Sequence, residues 1–187
     1  MRPIMRIAFA LSLATVLMTP GATHAHAGSA NDASEIRRPG PWLAELRWVN
    51  AKPLAPADLK GKVVLVEFWT FDCINCRRTV PAMRRLAASY GGARDVVIIG
   101  LHTPELEHER DLGNVRRAIQ RLGLTFPVAQ DNDYSAWRAF DNHYWPALYL
   151  IDRGGVIRAT HIGELHLDTP EWRALLGQID ALRREAL

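Results

Sequence analysis

The chain contains 187 residues, of which 48% are hydrophobic and 23% charged, and its formal net charge is +3. This length suits one domain, and the hydrophobic content is ample for a packed core. So small a net charge excludes a strongly basic chain, and we expect no nucleic-acid partner.

The first 27 residues have the pattern of a secretory signal peptide. Arg2 and Arg6 precede an apolar stretch over residues 7–18, and Ala25-His26-Ala27 supplies a cleavage pattern of small residues. An uncleaved membrane anchor is the alternative, but the apolar stretch is shorter than the ~20 residues that a spanning helix needs. We therefore expect cleavage near Ala27 and a periplasmic or secreted protein without a stable membrane span.

Residues 28–40 are mostly small or polar and contain a proline near their end, which is typical of a linker. We therefore place the domain at residues 41–187. The apolar residues between positions 41 and 54 predict a short hairpin or an extended segment, and residues 57–60 predict a single helical turn.

The strongest strand signal is the run of β-branched and aromatic residues from Val63 to Trp69. The two cysteines of the chain, Cys73 and Cys76, follow this strand, at the start of a helix predicted over residues 74–90. With two residues between them, the cysteines can close an intramolecular disulfide or hold a metal. In an oxidising compartment, such a pair is expected to meet disulfides.

The position of each cysteine suggests a different role. A cysteine at a helix N-terminus is favoured as thiolate by the helix dipole and by free backbone N–H groups, so we predict that Cys73 is the nucleophile. Cys76, one turn further in, would attack the mixed disulfide and release the partner's thiol.

Glu67 lies on the strand that leads to the cysteines. If its side chain points inward, burial raises the pKa of this carboxyl and suits it to exchange a proton with Cys76. A solvent-facing residue paired with an arginine is the alternative.

The rest of the pattern alternates strands with helices. One helix is predicted to be capped by Asn114 and ended by Gly123, a brief helix ends near residue 140, and Thr169 caps the last helix. The predicted order, β-α-β-α-β-α-β-β-α, indicates an α/β fold with a mixed central sheet covered by helices on both faces. The further strands are predicted at residues 95–101, 126–129, 147–151 and 156–162, the last two as a hairpin.

Arginine pairs are scattered along the chain. We interpret each pair as part of a solvated helix face with acidic neighbours. The pairs are Arg37-Arg38, Arg77-Arg78, Arg84-Arg85, Arg116-Arg117 and Arg183-Arg184.

Several strings of residues resemble one known family. The acid and aromatic residues before Cys73-Ile74-Asn75-Cys76, with Pro81 after them and Trp145-Pro146 before a hairpin, resemble the thioredoxin fold. Residues 102–133 resemble the helix-strand insertion of exported TlpA-like proteins. The resemblance covers roughly residues 54–163. The strings at 102–105, 113–115, 131–132 and 144–152 are similar to the thioredoxin-like domain of DipZ-type proteins.

This resemblance implies a monomeric thiol-disulfide oxidoreductase that needs no cofactor and acts on thiols and disulfides of extracytoplasmic proteins. It implies that the Trp145-Pro146 bond is cis and faces the cysteines, and that Pro146 leaves room for the thiols there. It also places Glu67 at the position of the buried acid of thioredoxins. Because DipZ-type proteins carry a membrane electron-transfer domain in the same chain, we expect a separate membrane electron donor here.

Aromatic residues cluster around the predicted site. We expect Trp69, Phe71 and Trp145, together with Tyr144, to form an apolar rim that binds polypeptide substrates. Core packing is the alternative for Trp69.

Two features bear on the redox potential. Asp72 stands where thioredoxin-like proteins commonly have tryptophan, and its carboxylate is expected to oppose thiolate formation, whereas Arg77 acts the other way. No histidine lies between the cysteines. We therefore favour a reductase, or an exchanger of moderate potential, over a strong oxidant.

Two other functions fit parts of the pattern. A Sco-like copper-binding redox chaperone would use both cysteines and a histidine. The resemblance to such proteins implies a CxxxC spacing of the cysteines, whereas the spacing here is CxxC, and the histidines after residue 27 form no i,i+4 pair. A resemblance to thiol peroxidases implies a Thr-x-x-Cys motif around the nucleophile. Thr70 and Cys73 have this spacing, but the chain lacks the proline that such sites carry. We expect no metal site.

Overall fold

The computed structural model describes residues 46–185. The predicted signal peptide at residues 1–27 and the predicted linker at 28–40 lie outside the described residues, as does the start of the domain placed at 41–187. No helix within 46–185 is both long and apolar enough to cross a membrane.

The secondary structure of this part of the chain alternates strands with helices, as predicted. In chain order the elements are β1 (Arg47–Trp48), α1 (Pro56–Leu59), β2 (Val63–Trp69), α2 (Ile74–Tyr90), β3 (Val96–His102), a 3₁₀ turn (Glu107–Arg110), α3 (Leu112–Leu122), β4 (Val128–Gln130), α4 (Ser135–Ala139), β5 (Ala147–Ile151), β6 (Ile157–Ile162) and α5 (Pro170–Arg184).

Strand β2 is the centre of the sheet, and all of its residues are buried. It pairs in parallel with β3 and antiparallel with β5, and β6 continues from β5 as an antiparallel hairpin. On the other side, β4 is parallel to β3 and β1 is antiparallel to β4, which gives the strand order β1-β4-β3-β2-β5-β6. Apart from Glu67, strand β2 is apolar on both faces because helices cover both. The predicted mixed sheet is confirmed.

The helices divide between the two faces of the sheet. Helices α2, α3 and α5 bury their apolar residues in one core, and α1 and α4 in the other. Neighbouring residues of β2 point to opposite cores: Leu65 to the first and Val66 to the second. Phe68 extends the second core through edge-on contacts with Phe140 and Tyr149.

Chain direction brings the chemistry to one edge. Because β2 and β3 are parallel, their carboxyl ends meet at the same edge, and α2 and α3 begin there. The cysteines, the loop after His102 and the loop before β5 therefore gather at this edge. Ligands bind at the carboxyl ends of parallel strands in many open α/β sheets.

One predicted helix cap is wrong. Asp111, and not Asn114, is the N-cap of α3, and its carboxylate accepts a hydrogen bond from the backbone N–H of Asn114 at 2.8 Å. Either residue type can cap a helix, so the pattern alone cannot choose between them. Gly123 ends α3 with a φ of 63°, as predicted. For residues 46–54 the extended alternative is confirmed, because β1 pairs with the distant β4.

Candidate active site

The site lies where β2 gives way to α2. Cys73 is the N-cap residue of α2, and its Sγ accepts a hydrogen bond from the backbone N–H of Cys76 at 3.2 Å. Serine or aspartate ordinarily fills this capping position. Cys73 is partly exposed, Cys76 is buried, and both are free thiols in this structure. The disulfide between them therefore stays a prediction.

The pKa values of the two thiols are shifted from the ordinary cysteine value in opposite directions. The pKa of Cys73 is lowered from 9.0 to about 7, chiefly by a hydrogen bond from the Cys76 thiol; partial burial opposes the shift, and the backbone N–H groups of Cys76 and Asn75 contribute to it. The pKa of Cys76 is raised well above its ordinary value, because its thiol donates to Cys73 and because it is buried. At neutral pH the proton therefore stays on Cys76, and Cys73 carries much of the negative charge.

Glu67 is buried in β2, with 3% of its surface exposed. Burial raises the pKa of this carboxyl from 4.5 to about 8, and the negative charge of Cys73 adds to the effect. The charge of Glu67 in turn raises the pKa of Cys76. The predicted buried carboxyl is confirmed and the solvent-facing alternative is wrong, while proton exchange with Cys76 stays a prediction.

The loop before β5 faces the nucleophile. The Trp145–Pro146 peptide bond is cis, as the resemblance implies. The carbonyl oxygen of Trp145 lies 3.9 Å from Sγ of Cys73. The indole of Trp145 donates a hydrogen bond to the carbonyl of Thr103 at 3.0 Å and packs against Trp137, with ring centroids 4.1 Å apart. This backbone carbonyl is therefore held beside the thiol.

Asn142 holds the same loop by hydrogen bonds, a role that was not predicted from the sequence. It is buried, donates a hydrogen bond to the carbonyl of Tyr144 at 3.1 Å, and accepts one from the hydroxyl of Tyr149 at 3.0 Å. An asparagine in a loop is ordinarily explained by turn geometry, so its type gave no signal of this role.

The predicted aromatic rim is only partly present at the surface. Trp69 and Phe71 are 2% and 6% exposed, so they belong to the core and cannot contact a substrate in this structure. They enclose the buried His102, whose ring stacks on Phe71 at 5.4 Å and meets Trp69 edge-on. The apolar surface beside the thiols consists instead of the partly exposed Trp145 with the exposed Ile74 and Tyr144.

Burial also fixes the charge state of His102. It lowers the pKa of this imidazole from 6.5 to about 4, although the nearby Glu109 carboxylate favours the protonated ring. The ring is therefore neutral at pH 7, and its Nε2 lies 3.2 Å from the hydroxyl of Thr70.

Glu109, in the 3₁₀ turn of the insertion, is a buried carboxylate that the sequence did not single out. Its Oε1 accepts from the backbone N–H of Asp72 at 3.1 Å, and its Oε2 accepts from the N–H groups of Glu105 and Leu106 at 2.7 and 2.8 Å. Burial by itself raises the pKa of Glu109, but these bonds and one from the hydroxyl of Thr70 outweigh it, so the pKa is lowered. Glu109 thereby ties the insertion to the residue that precedes the nucleophile.

The carboxylate that opposes thiolate formation comes from the insertion. Asp72 pairs with His108, whose Nε2 lies 2.5 Å from the carboxylate. The charge that raises the pKa of Cys73 belongs to Glu105. The expected opposing charge is thus present, but it is supplied by a different residue.

A metal site would need more ligands than the two thiols. Across residues 46–185, no group of three or more histidine, cysteine, aspartate or glutamate side chains is arranged to hold a metal ion. The copper-binding alternative therefore lacks the histidine that it requires beside the cysteines in this part of the chain.

Comparisons with known proteins agree with this chemistry. A sequence model of the AhpC/TSA family matches residues 44–160, which include both cysteines. The protein DipZ of Mycobacterium tuberculosis (strain CDC 1551 / Oshkosh) is 43% identical over 122 residues, which make up 63% of this chain and 17% of DipZ. The matched part thus spans less than a fifth of that relative.

Two further relatives match over most of their own length. The thiol-disulfide oxidoreductase YkuV of Bacillus subtilis (strain 168) is 28% identical over 130 residues, or 69% of this chain and 86% of YkuV. The crystal structure of a thiol-disulfide isomerase from Corynebacterium glutamicum superposes with a TM-score of 0.68 and 28% identity, over 79% of this chain and 98% of the isomerase. These matches confirm the predicted thioredoxin-like fold.

Proposed function

The chain belongs to the AhpC/TSA family, and on that premise we propose that it is an exported thiol-disulfide oxidoreductase that reduces or exchanges disulfides of extracytoplasmic proteins. One observation carries the proposal: Cys73, with a pKa lowered to about 7, caps α2 in front of the buried, protonated Cys76. An accessible thiolate with a second thiol behind it is the arrangement that disulfide exchange requires.

The first step is attack of the Cys73 thiolate on one sulfur of a substrate disulfide. The substrate S–S bond breaks, its second sulfur leaves as a thiolate that takes a proton from solvent, and a mixed disulfide forms at Cys73. The carbonyl of Trp145, 3.9 Å from Sγ, lies where a substrate backbone N–H can pair with the loop. The exposed Ile74 and Tyr144 offer apolar contacts nearby.

Formation of the mixed disulfide prepares the second step electrostatically. The hydrogen bond to the Cys73 thiolate is the largest cause of the raised pKa of Cys76, and the charge of Cys73 adds to the raised pKa of Glu67. Both effects disappear once Cys73 is bonded to the substrate, so Cys76 becomes more acidic and Glu67 ionises more readily. Glu67 can then take the proton of Cys76.

The second step completes the transfer of two electrons. The Cys76 thiolate attacks Sγ of Cys73, the mixed disulfide breaks, and the second substrate thiol is released. The protein is left with a Cys73–Cys76 disulfide. A separate membrane electron donor would then reduce this disulfide, and the predicted signal peptide would place the protein where such a donor is reached from outside the cytoplasm.

Thiol exchange is favoured over peroxide reduction by the position of Thr70. In the Thr-x-x-Cys pattern the threonine hydroxyl would have to be free to form a hydrogen bond beside the nucleophilic cysteine. Here Thr70 is fully buried, and its hydroxyl is engaged by His102 at 3.2 Å and by Glu109.

The proposal is tested by trapping the intermediate. Cys76→Ser should accumulate a stable mixed disulfide with a model disulfide peptide, detected as an adduct by mass spectrometry, whereas Cys73→Ser should form none. The wild-type protein should turn over the same peptide and should consume no peroxide without a thiol substrate. An active Cys73→Ser variant would contradict the proposal.

A further inference from the structure

Helices α2 and α3 carry an unbalanced charge. Four arginines lie in α2 and three in α3, and neither helix contains an aspartate or a glutamate. The predicted exposure of these arginine pairs is confirmed, but the expected acidic neighbours are not in the same helix: Arg78 pairs with Glu164, which lies outside α2, whereas Arg183 of α5 pairs with Asp95 and with Asp180 of its own helix. All seven side chains are exposed, and we call them the basic face: Arg77, Arg78, Arg84, Arg85, Arg116, Arg117 and Arg121.

The two helices form one continuous surface. Both bury their apolar residues in the same core, so they cover the same face of the sheet. They run side by side, since each follows one of two parallel strands. The guanidinium of Arg84 lies over the end of α3, where a methyl group added at Gly123 would be 3.5 Å from its Cζ.

Most of these guanidinium groups have no partner within residues 46–185. Arg78 pairs with Glu164 at 3.1 Å, and Arg117 bonds the side chain of Asn114. The guanidinium groups of the other five form no hydrogen bond or ion pair with any residue between 46 and 185. Guanidinium groups are permanently charged, weakly hydrated and shaped to bind phosphate oxygens in pairs.

The basic face also lacks the apolar centre of a protein interface. Ile74 is the one large hydrophobic residue exposed on either described helix, and it lies in the first turn of α2, beside the cysteines. Protein interfaces concentrate aromatic and apolar residues at their core. A surface of anionic lipid headgroups attracts arginines by charge and does not require apolar residues at the centre of the contact.

We propose that the basic face binds the surface of a bilayer that contains anionic phospholipid. The phosphate groups of the lipid pair with the arginines that have no acidic partner in the protein. The cysteines lie at the N-terminal end of α2, at the border of the contact. They therefore remain accessible to a substrate disulfide while the protein is bound to the membrane. Binding uses no thiol chemistry, so it can fail or succeed independently of the proposed oxidoreductase activity.

The test is sedimentation with vesicles of phosphatidylcholine alone or with about 30% phosphatidylglycerol, at low and at physiological salt. Arg84→Glu/Arg121→Glu reverses two charges of the basic face. The matched control, Lys60→Glu/Arg138→Glu, reverses two exposed charges, one directly after α1 and one on α4, the two helices that cover the other face of the sheet. All three proteins keep the same N-terminal residues, so any binding by that segment is common to them.

We expect the wild type and the control to bind the anionic vesicles with similar affinity, and the variant of the basic face about 30-fold or more weakly, since the loss of two arginines alone costs about 30-fold and the two added glutamates repel the lipid phosphates. Raising the salt should weaken the binding of the wild type. A milder change, Arg85→Gln/Arg116→Gln, should also weaken binding and covers the case in which charge reversal impairs folding. Reaction of Cys73 with the model peptide should be unchanged in each variant.

Either of two results would overturn the proposal. One is equal binding of both vesicle types by the wild type; the other is equal loss of binding in the control and in the variants of the basic face. If the wild type ignored the anionic vesicles but an acidic protein retained it through these arginines, the surface would belong to a protein partner and the lipid assignment would be wrong.

Discussion

Replacing Glu67 with glutamine should stabilise the protein, and the gain should depend on pH. Glutamine has nearly the same size as the neutral acid but cannot ionise. The pKa of Glu67 is about 8 in the folded protein, because of burial and the charge of Cys73, against 4.5 for its ordinary value. Between these pH values unfolding releases a proton, so the free energy of unfolding of the wild type falls as pH rises.

The magnitude follows from the two pKa values. Each unit of difference corresponds to about 1.4 kcal/mol, so the buried carboxyl costs about 3 kcal/mol at pH 7 and about 5 kcal/mol above pH 8. Below pH 4.5 the carboxyl is protonated in both states and the cost vanishes. Ionisation of Cys73 raises the free energy of unfolding as pH rises, because its pKa is lowered in the folded protein. This effect is present in both the wild type and the variant, so the comparison between them removes it.

Urea unfolding of the reduced proteins at several pH values measures this difference. We expect the variant and the wild type to have similar free energies of unfolding near pH 4 and to diverge up to pH 8, with the variant more stable. A difference that stayed constant across this range would refute the inference that Glu67 is neutral when buried.

The same substitution should slow catalysis. If Glu67 takes the proton of Cys76, the variant should release substrate from the mixed disulfide more slowly by a factor of about 100 or more, in line with the contribution of a general base. An unchanged rate and pH profile would remove Glu67 from the mechanism and leave it a structural acid.

Further consequences can be checked with simple variants and reagents. Alkylation of Cys73 should rise with pH to a midpoint at about 7, below the ordinary value of 9.0, and Cys76 should react only after unfolding; a midpoint near 9 would contradict the assigned thiolate. Glu109→Gln replaces one acceptor oxygen with a donor that faces N–H groups, so it should lower the free energy of unfolding by about 1–3 kcal/mol and alter the rate of Cys73 alkylation; an unchanged rate would limit Glu109 to a structural role. Gly123→Ala should cost about 1 kcal/mol, because φ is 63° and the added methyl group would meet only the flexible Arg84 side chain at ordinary contact distance, and should lower the melting temperature by about 2–4 °C; an unchanged melting temperature would contradict this backbone argument.

The sequence predicted the central part of the fold because its patterns there are local. The apolar run of β2 and the helical spacing of α2 follow from neighbouring residues, and so does the position of Cys73 at the start of α2. The partner of β1 lies some 80 residues away, and no local pattern can reveal such a pairing.

The parts of the site that the sequence missed depend on tertiary burial. Glu109 lies in a run of charged residues that looks exposed, and only the 3₁₀ turn carries it under the loop of Asp72. Phe71 follows the end of β2, where the alternation of a strand no longer applies, so its burial against His102 could not be predicted. The basic face appears only when two separate helices are placed side by side.

The equilibrium reduction potential of the Cys73–Cys76 pair tests the account most directly. A nucleophile with a pKa of about 7 matches thioredoxin, whereas the strong oxidant DsbA has a value near 3.5. We therefore expect a potential of about −230 mV or lower when thiol content is followed in defined thiol-disulfide buffers. A value near −120 mV, about that of an oxidase which introduces disulfides, would contradict the account.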